Sequence, residues 1–78
     1  MAIENYQKAI KLSQSFNWTA GEAYAAWCLG EIYEADNPDQ AVELMSVEVA
    51  YKQSIGHQDA EKHSIRVEEI KVRINQMT

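Results

Sequence analysis

The stretch that decides the fold runs from Trp18 to Ala41 and reads WTAGEAYAAWCLGEIYEADNPDQA. Positions 19–35 predict one uninterrupted helix whose apolar residues cover most of its circumference, and such a helix is enclosed by neighbours on more than one side. Gly30 lies in its interior, where glycine costs roughly 1 kcal/mol relative to alanine. A helix this rich in alanine raises the question of what the glycine does for the fold.

The remaining sequence predicts three more helices and has no strand-like alternation of any length. The connections between the helices are short, so we expect neighbouring helices to be antiparallel. We predict an all-α domain that covers positions 1–78 and is built from antiparallel helical hairpins. Its helices are placed at about 2–15, 19–35, 38–55 and 59–77.

Several helix boundaries carry capping signals. Thr19 and Glu22 have the spacing of a capping box at the start of the second helix. Asn37 is a preferred N-cap residue, and Pro38 suits the first position of the third helix. Gly56 is available as a left-handed residue after that helix.

Charge and composition exclude several classes of function. The chain has 78 residues, a net charge of −5 and a pI near 4.8, which argues against a nucleic-acid surface or an anionic membrane surface. No apolar run approaches the ~20 residues of a membrane span. Cys28 is the only cysteine, so an internal disulfide is impossible, and a reducing compartment suits the chain. We expect a cytoplasmic protein.

An offset of 39 residues superimposes the first predicted helix on the third. Ala2-Ile3-Glu4 then meets Ala41-Val42-Glu43, and Ile10 meets Val49. The second helix overlays the fourth in the same way, with Glu22 on Glu61. The chain therefore reads as two copies of a two-helix repeat.

The repeated residues resemble the tetratricopeptide repeat family. The pattern AxxxYxxA from Ala2, followed by Leu12, resembles the second helix of that repeat, and LGxxY from Leu29 resembles the core of its first helix. The 39-residue spacing resembles the longer variety found in bacterial signalling and regulatory proteins. The resemblance implies an α-solenoid in which Gly30 lets the two helices of one repeat approach closely. It also implies a helical order that begins with the second helix of a pair.

The fourth helix departs from the family pattern. It carries Glu68-Glu69 at the positions equivalent to Leu29-Gly30, which predicts a degenerate or capping helix. Glu48 stands where Ala9 stands in the first copy and interrupts an apolar stripe of the third helix. A buried charge must be paired or hydrogen-bonded, so we expect Glu48 to reach the fourth helix and fix its docking. The candidate bases are Lys52 on the same helix and Lys62, His63 and Arg66 on the next.

No arrangement of residues predicts catalysis. His57 and His63 have no carboxylate or cysteine at metal-ligand spacing and are interpreted as surface residues. Cys28 lies among apolar residues without a nearby base and is interpreted as an inert core thiol. The chain has no glycine-rich phosphate loop and no nucleophile elbow. We expect no enzyme, no cofactor and no metal.

The resemblance implies a binding groove along the inner edges of the second and fourth helices. The 39-residue overlay places Tyr24 opposite His63, Trp27 opposite Arg66, and Glu34 opposite Arg73. Tryptophan and arginine are enriched at binding hot spots. The predicted partner-binding residues are Tyr24, Trp27, Glu31, Glu34, His63, Arg66 and Arg73. In the rival interpretation Trp27 belongs to the core and the opposite charges pair with each other.

Two further surfaces predict self-association. The first helix lacks the partner helix that the family pattern places before it, so its stripe of Ile3, Tyr6 and Ile10 packs on the second helix alone or on another chain. The fourth helix has a core stripe of Val67, Ile70, Ile74 and Met77, with Ile65 and Val72 on its opposite side.

These surfaces lead to a protein-interaction module or scaffold that binds a partner protein or peptide through its helical groove. The alternative is a self-assembly element that forms a homo-oligomer, or a fragment of a larger tetratricopeptide regulatory protein. A regulator that senses a peptide or small ligand in the groove is the third interpretation.

Overall fold

A computed structural model describes residues 2–77, with side chains for residues 2–76. Within this range the chain forms four α-helices and no strand, which confirms the all-α prediction. The helices are α1 (Ala2–Ser15), α2 (Thr19–Tyr33), α3 (Pro38–Ser54) and α4 (Ala60–Met77). The second helix ends two residues earlier than predicted, and the Asn37 N–H bonds to the carbonyl oxygen of its last residue, Tyr33, at 2.7 Å.

The ends of α1 and α3 share one backbone motif. Asn17 and Gly56 both adopt the left-handed conformation, with φ of +55° and +66°. The next residue in each case donates a hydrogen bond five residues back, from Trp18 N–H to Ser13 and from His57 N–H to Lys52. This is the Schellman arrangement. The two motifs lie 39 residues apart, so the two halves of the chain turn at equivalent positions.

One predicted N-cap is confirmed and the other is wrong. The Asn37 side chain accepts a hydrogen bond from the Gln40 N–H at the start of α3, as expected. At α2 the N-cap residue is Trp18, and no side chain caps the helix. The Schellman turn places the Trp18 carbonyl oxygen 3.1 Å from the Glu22 nitrogen. Thr19 is therefore already the first residue of the helix and does not act as its N-cap. The Glu22 carboxylate instead accepts a hydrogen bond from Gln14.

Each helix packs against the next one in the sequence, and among the described residues no other pair of helices brings its backbones together. The central position of α2 between α1 and α3 accounts for its apolar circumference. The α2 residues that are buried are Ala23, Ala25, Ala26, Leu29 and Gly30. The small side chains let neighbouring helices lie close on both sides of α2.

A second part of the core lies between α3 and α4. It consists of Ala41, Met45, Val49, Val67 and Ile70. Ile74 packs partly against this cluster, which confirms the predicted stripe of α4 over the described side chains. The Met77 side chain, the last member of that stripe, lies outside them.

Gly30 marks the closest approach of α2 to α3. A Cβ atom built on Gly30 would overlap Met45 Cγ and would lie 3.1 Å from the Ala41 carbonyl oxygen. Met45 and Ala41 are both fully buried, so neither can move aside freely. The glycine is therefore required by packing, at the cost in helix propensity noted above.

We predict that Gly30→Ala destabilises the fold although it improves helix propensity. The propensity gain is about 1 kcal/mol, whereas overpacking a core costs about 1–3 kcal/mol. Urea unfolding should therefore show a lower free energy of unfolding. Gly21→Ala is the matched comparison. Its Cβ would meet the Ser13 hydroxyl and the Trp18 ring, and the Trp18 side chain is 63% exposed and can turn away. A loss at Gly21 equal to or larger than the loss at Gly30 would contradict the packing argument.

Candidate functional site

The predicted binding residues meet where α2 and α4 lie side by side. Trp27 and Glu31 of α2 and His63 and Arg66 of α4 line one cavity of about 410 Å³. Tyr24 is 67% exposed and does not line it. The structure therefore brings most of the predicted surface together from two helices whose backbones do not touch.

The indole ring of Trp27 stacks on the imidazole ring of His63. The ring centroids are 4.0 Å apart and the planes are inclined by 15°. The overlay placed Trp27 opposite Arg66, which is wrong by one turn of α4. Trp27 is half-buried and also packs against the α3–α4 core. Trp27 thus lines the cavity and supports the core at once, so the two interpretations made from the sequence do not exclude each other.

Glu48 on α3 bonds to the edge of the His63 ring at Nδ1. Its side chain is almost fully buried, and His63 Nδ1 lies 2.7 Å from Glu48 Oε2 and 3.0 Å from Oε1. Lys52 Nζ lies 4.0 Å from the same carboxylate. The prediction that Glu48 reaches α4 is confirmed. The interpretation of His63 as a surface residue is wrong, because the ring edge bonds to the buried Glu48 carboxylate and the ring face stacks on Trp27.

The other predicted histidine, His57, lies in the connection before α4. Its Nδ1 accepts a hydrogen bond from the Asp59 N–H at 3.0 Å. That bond fixes the turn that leads into α4. Among the described residues no group of three or more His, Cys, Asp or Glu side chains is placed to hold a metal ion.

Glu34, the C-cap residue of α2, bonds to two arginines of α4. Arg66 Nη2 donates to Oε1, and Arg73 Nη2 donates to Oε2 at 2.7 Å. The bond from Arg66, followed by that from Arg73, lowers the pKa of Glu34 against the opposing effect of burial. The same bond raises the pKa of Arg66. The pairing of Glu34 with Arg73 agrees with the overlay. Glu34 thus binds both of the arginines that were predicted to bind a partner.

The pKa values of Tyr6 and Tyr24 are both raised above the ordinary value of a tyrosine. Interaction with the Cys28 side chain is the main cause that raises the pKa of both tyrosines, and the charge of Glu31 acts in the same direction. Cys28 is half-buried, so its interpretation as a core thiol is wrong. The sequence signal for this cluster was the four-residue spacing of Tyr24 and Cys28 on one helix face; nothing local pointed to Tyr6.

The residues expected to self-associate fall into two groups. Ile3, Tyr6 and Ile10 are half-buried on α1, which within the described part of the chain packs its backbone on α2 alone. Ile65 and Val72 are each 54% exposed on α4. A cavity of about 630 Å³ that the sequence did not predict lies between α1 and α3, with Ile10, Leu29 and Leu44 in its lining.

In comparisons with family models, curated proteins and solved structures, none matches the chain. The resemblance to tetratricopeptide repeats therefore rests on the residues quoted for it. Among the described residues, no helix combines the length and apolar character needed to cross a membrane.

We predict that the Glu48–His63 contact stabilises the docking of α4. Removing one partner of a buried polar pair leaves the other unsatisfied and costs about 1–3 kcal/mol. Glu48→Ala and His63→Ala should each lower the free energy of unfolding in urea, and the double variant should lose less than the sum. Glu43→Ala, an exposed position on the same helix, should change stability by less than about 0.5 kcal/mol. Unchanged or raised stability in Glu48→Ala would show that the contact contributes nothing.

The pairing of Glu34 predicts a dependence of stability on pH. Because the folded-state pKa of Glu34 is depressed, its contribution is complete above the unfolded value of about 4.3 and is lost as pH falls through the folded value. Arg66 and Arg73 are 41% and 50% exposed, so we expect about 0.5–1 kcal/mol at pH 7.

Thermal unfolding of the wild type and Glu34→Gln at pH 7 and pH 3 measures this contribution. The difference in stability between the two proteins should shrink at the lower pH, whereas an equal difference at both values would contradict the assignment. Glu43→Gln controls for the loss of one negative charge.

Proposed function

We propose that this protein is a helical-repeat interaction module of tetratricopeptide type, which binds a partner protein or peptide across the α2–α4 surface and catalyses no reaction. The observation that carries the proposal is the cavity lined by Trp27, Glu31, His63 and Arg66. Its aromatic wall is rigid, because Trp27 is stacked on His63 and His63 is bonded to Glu48. Rigid aromatic side chains at the centre of a concave surface are typical binding hot spots.

The equivalent turns at Asn17 and Gly56 support the repeat architecture. Close packing at Gly30 agrees with the role that the family resemblance gives this glycine. A single thiol with no disulfide partner suits a cytoplasmic location.

Selection of peptides from a random display library on the immobilised protein tests the proposal. We expect peptides whose binding is abolished in Trp27→Ala and weakened in Tyr24→Ala and Glu31→Ala. Because Trp27 also packs against the core, the two exposed positions separate a loss of binding from a loss of folding. Val47→Ala on α3, also exposed, is the control and should bind as the wild type does. Selected peptides that bind all variants equally, or the absence of any, would contradict the proposal.

A second candidate function, self-assembly, is favoured by the exposed face of α4. Ile65 and Val72 occupy the positions of α4 that are equivalent to Ala26 and Tyr33 of α2. On α2, Ala26 is buried and Tyr33 packs against the α3–α4 core. Light scattering over a concentration series distinguishes the two functions. A mass that rises with concentration supports self-assembly, and a monomer at every concentration rules it out.

A further inference from the structure

The first and last helices each expose large apolar side chains on the side that faces away from the rest of the molecule. Leu12 of α1, Phe16 in the turn after it, and Ile65 and Val72 of α4 are all more than half exposed. Leu12 lies two and a half turns after Ile3, which places it on the opposite side of α1. The outer face of α1 consists of Ala2, Asn5, Leu12 and Phe16, and the outer face of α4 consists of Glu61, Ile65, Glu69 and Val72.

The outer face of α1 is equivalent to the face that α3 buries against α2. The 39-residue offset places Ala2 on Ala41, whose carbonyl oxygen lies at the close approach to Gly30. It places Leu12 on Tyr51, which lines a cavity of about 100 Å³ between α2 and α3. On α3 these positions are covered by α2, whereas on α1 they are exposed.

The same offset identifies α4 as the helix that fits the outer face of α1. The helix that covers the equivalent face of α3 is α2, and the offset superimposes α2 on α4. Over residues 2–77 the backbone of α1 packs on α2 only and that of α4 on α3 only. The two outer faces therefore lie at opposite ends of one molecule and meet only between two copies.

The unpaired charges near the two faces are opposite in sign. In the described part of the chain, those that form no salt bridge near the outer face of α4 are Glu61, Lys62 and Glu69, an excess of one negative charge. Those near the outer face of α1 are Glu4, Lys8 and Lys11, an excess of one positive charge. Contact between two copies of the same face brings like charges together, whereas contact between the two different faces brings opposite charges together.

We infer that two copies of this chain dock head to tail, with the outer face of α1 of one copy on the outer face of α4 of the other. The contact removes Leu12, Phe16, Ile65 and Val72 from water, which is the driving force for association. Because the contact joins two different faces, each copy keeps one free face and the assembly adds further copies. This inference rests on the second proposed function, self-assembly, and specifies the surface that each copy contributes.

Sedimentation equilibrium over a concentration series tests the inference. We expect the weight-average mass of the wild type to rise from 8.9 kDa past that of a dimer. Leu12→Glu and Ile65→Glu should each weaken association by about tenfold or more, because the contact would bury an unpaired carboxylate. Val47→Glu, at an exposed apolar position of α3 outside both faces, is the matched control and should associate as the wild type does. Circular dichroism checks folding, and Leu12→Gln or Ile65→Gln replaces a variant that does not fold.

A mixture of the two variants distinguishes the head-to-tail contact from a symmetric one. Leu12→Glu keeps an intact outer face of α4, and Ile65→Glu keeps an intact outer face of α1. Equimolar mixing should therefore restore association with the affinity of the wild type and stop at a dimer with one copy of each variant. A mixture that forms no complex would overturn the inference.

Failure of this inference is separable from failure of self-assembly. If the wild type associates and either Leu12→Glu or Ile65→Glu associates equally well, self-assembly stands and the head-to-tail contact is wrong. If the wild type is a monomer at every concentration, both are wrong.

Discussion

The close approach of α2 to α3 at Gly30 is the constraint on which the rest of the structure depends. The absence of a side chain at this position lets Met45 and the Ala41 carbonyl oxygen fit against the α2 backbone. Once α3 lies this close, Met45 is fully buried and can contribute to the cluster that also receives Val67 and Ile70 of α4. The packing of the fourth helix is therefore a consequence of the position of the third.

Polar contacts fix the way α4 lies beside α2. Over residues 2–77 backbone packing joins α4 to α3 only, and the connection to α2 is made by side chains, through the Trp27–His63 stack and the two arginines on Glu34. Directional contacts of this kind define one orientation more narrowly than apolar burial does. The cavity between α2 and α4 takes its shape from that orientation, so the residues that stabilise the fold here also form the candidate site.

Local patterns predicted the helices and most of their ends. Helical periodicity, the N-cap at Asn37 and the left-handed residue Gly56 each depend on only a few neighbouring residues in the sequence. The capping box at Thr19 failed for a reason outside α2. The Schellman turn after α1 sets where the next helix begins, and that turn depends on Asn17 adopting a left-handed conformation, which its sequence context did not single out.

The sequence predicted the contact of Glu48 with α4 correctly, but it did not predict which side chain of α4 stacks on Trp27. A carboxylate in an apolar stripe has few partners, so the reach of Glu48 to α4 could be deduced from the requirement for pairing. The partner of Trp27 depends instead on the position of α4 along its own axis, because a shift of one turn exchanges Arg66 for His63 on the same helix face.

The close packing at Gly30 has no equivalent on the outer face of α4. The position of α4 that corresponds to Gly30 is occupied by Glu69. Since even a single Cβ at Gly30 would overlap α3, a carboxylate side chain at Glu69 keeps any further helix at a greater distance from α4. A chain that covers Ile65 and Val72 would therefore lie farther from α4 than α3 lies from α2, and the contact made there would differ in geometry from the α2–α3 packing.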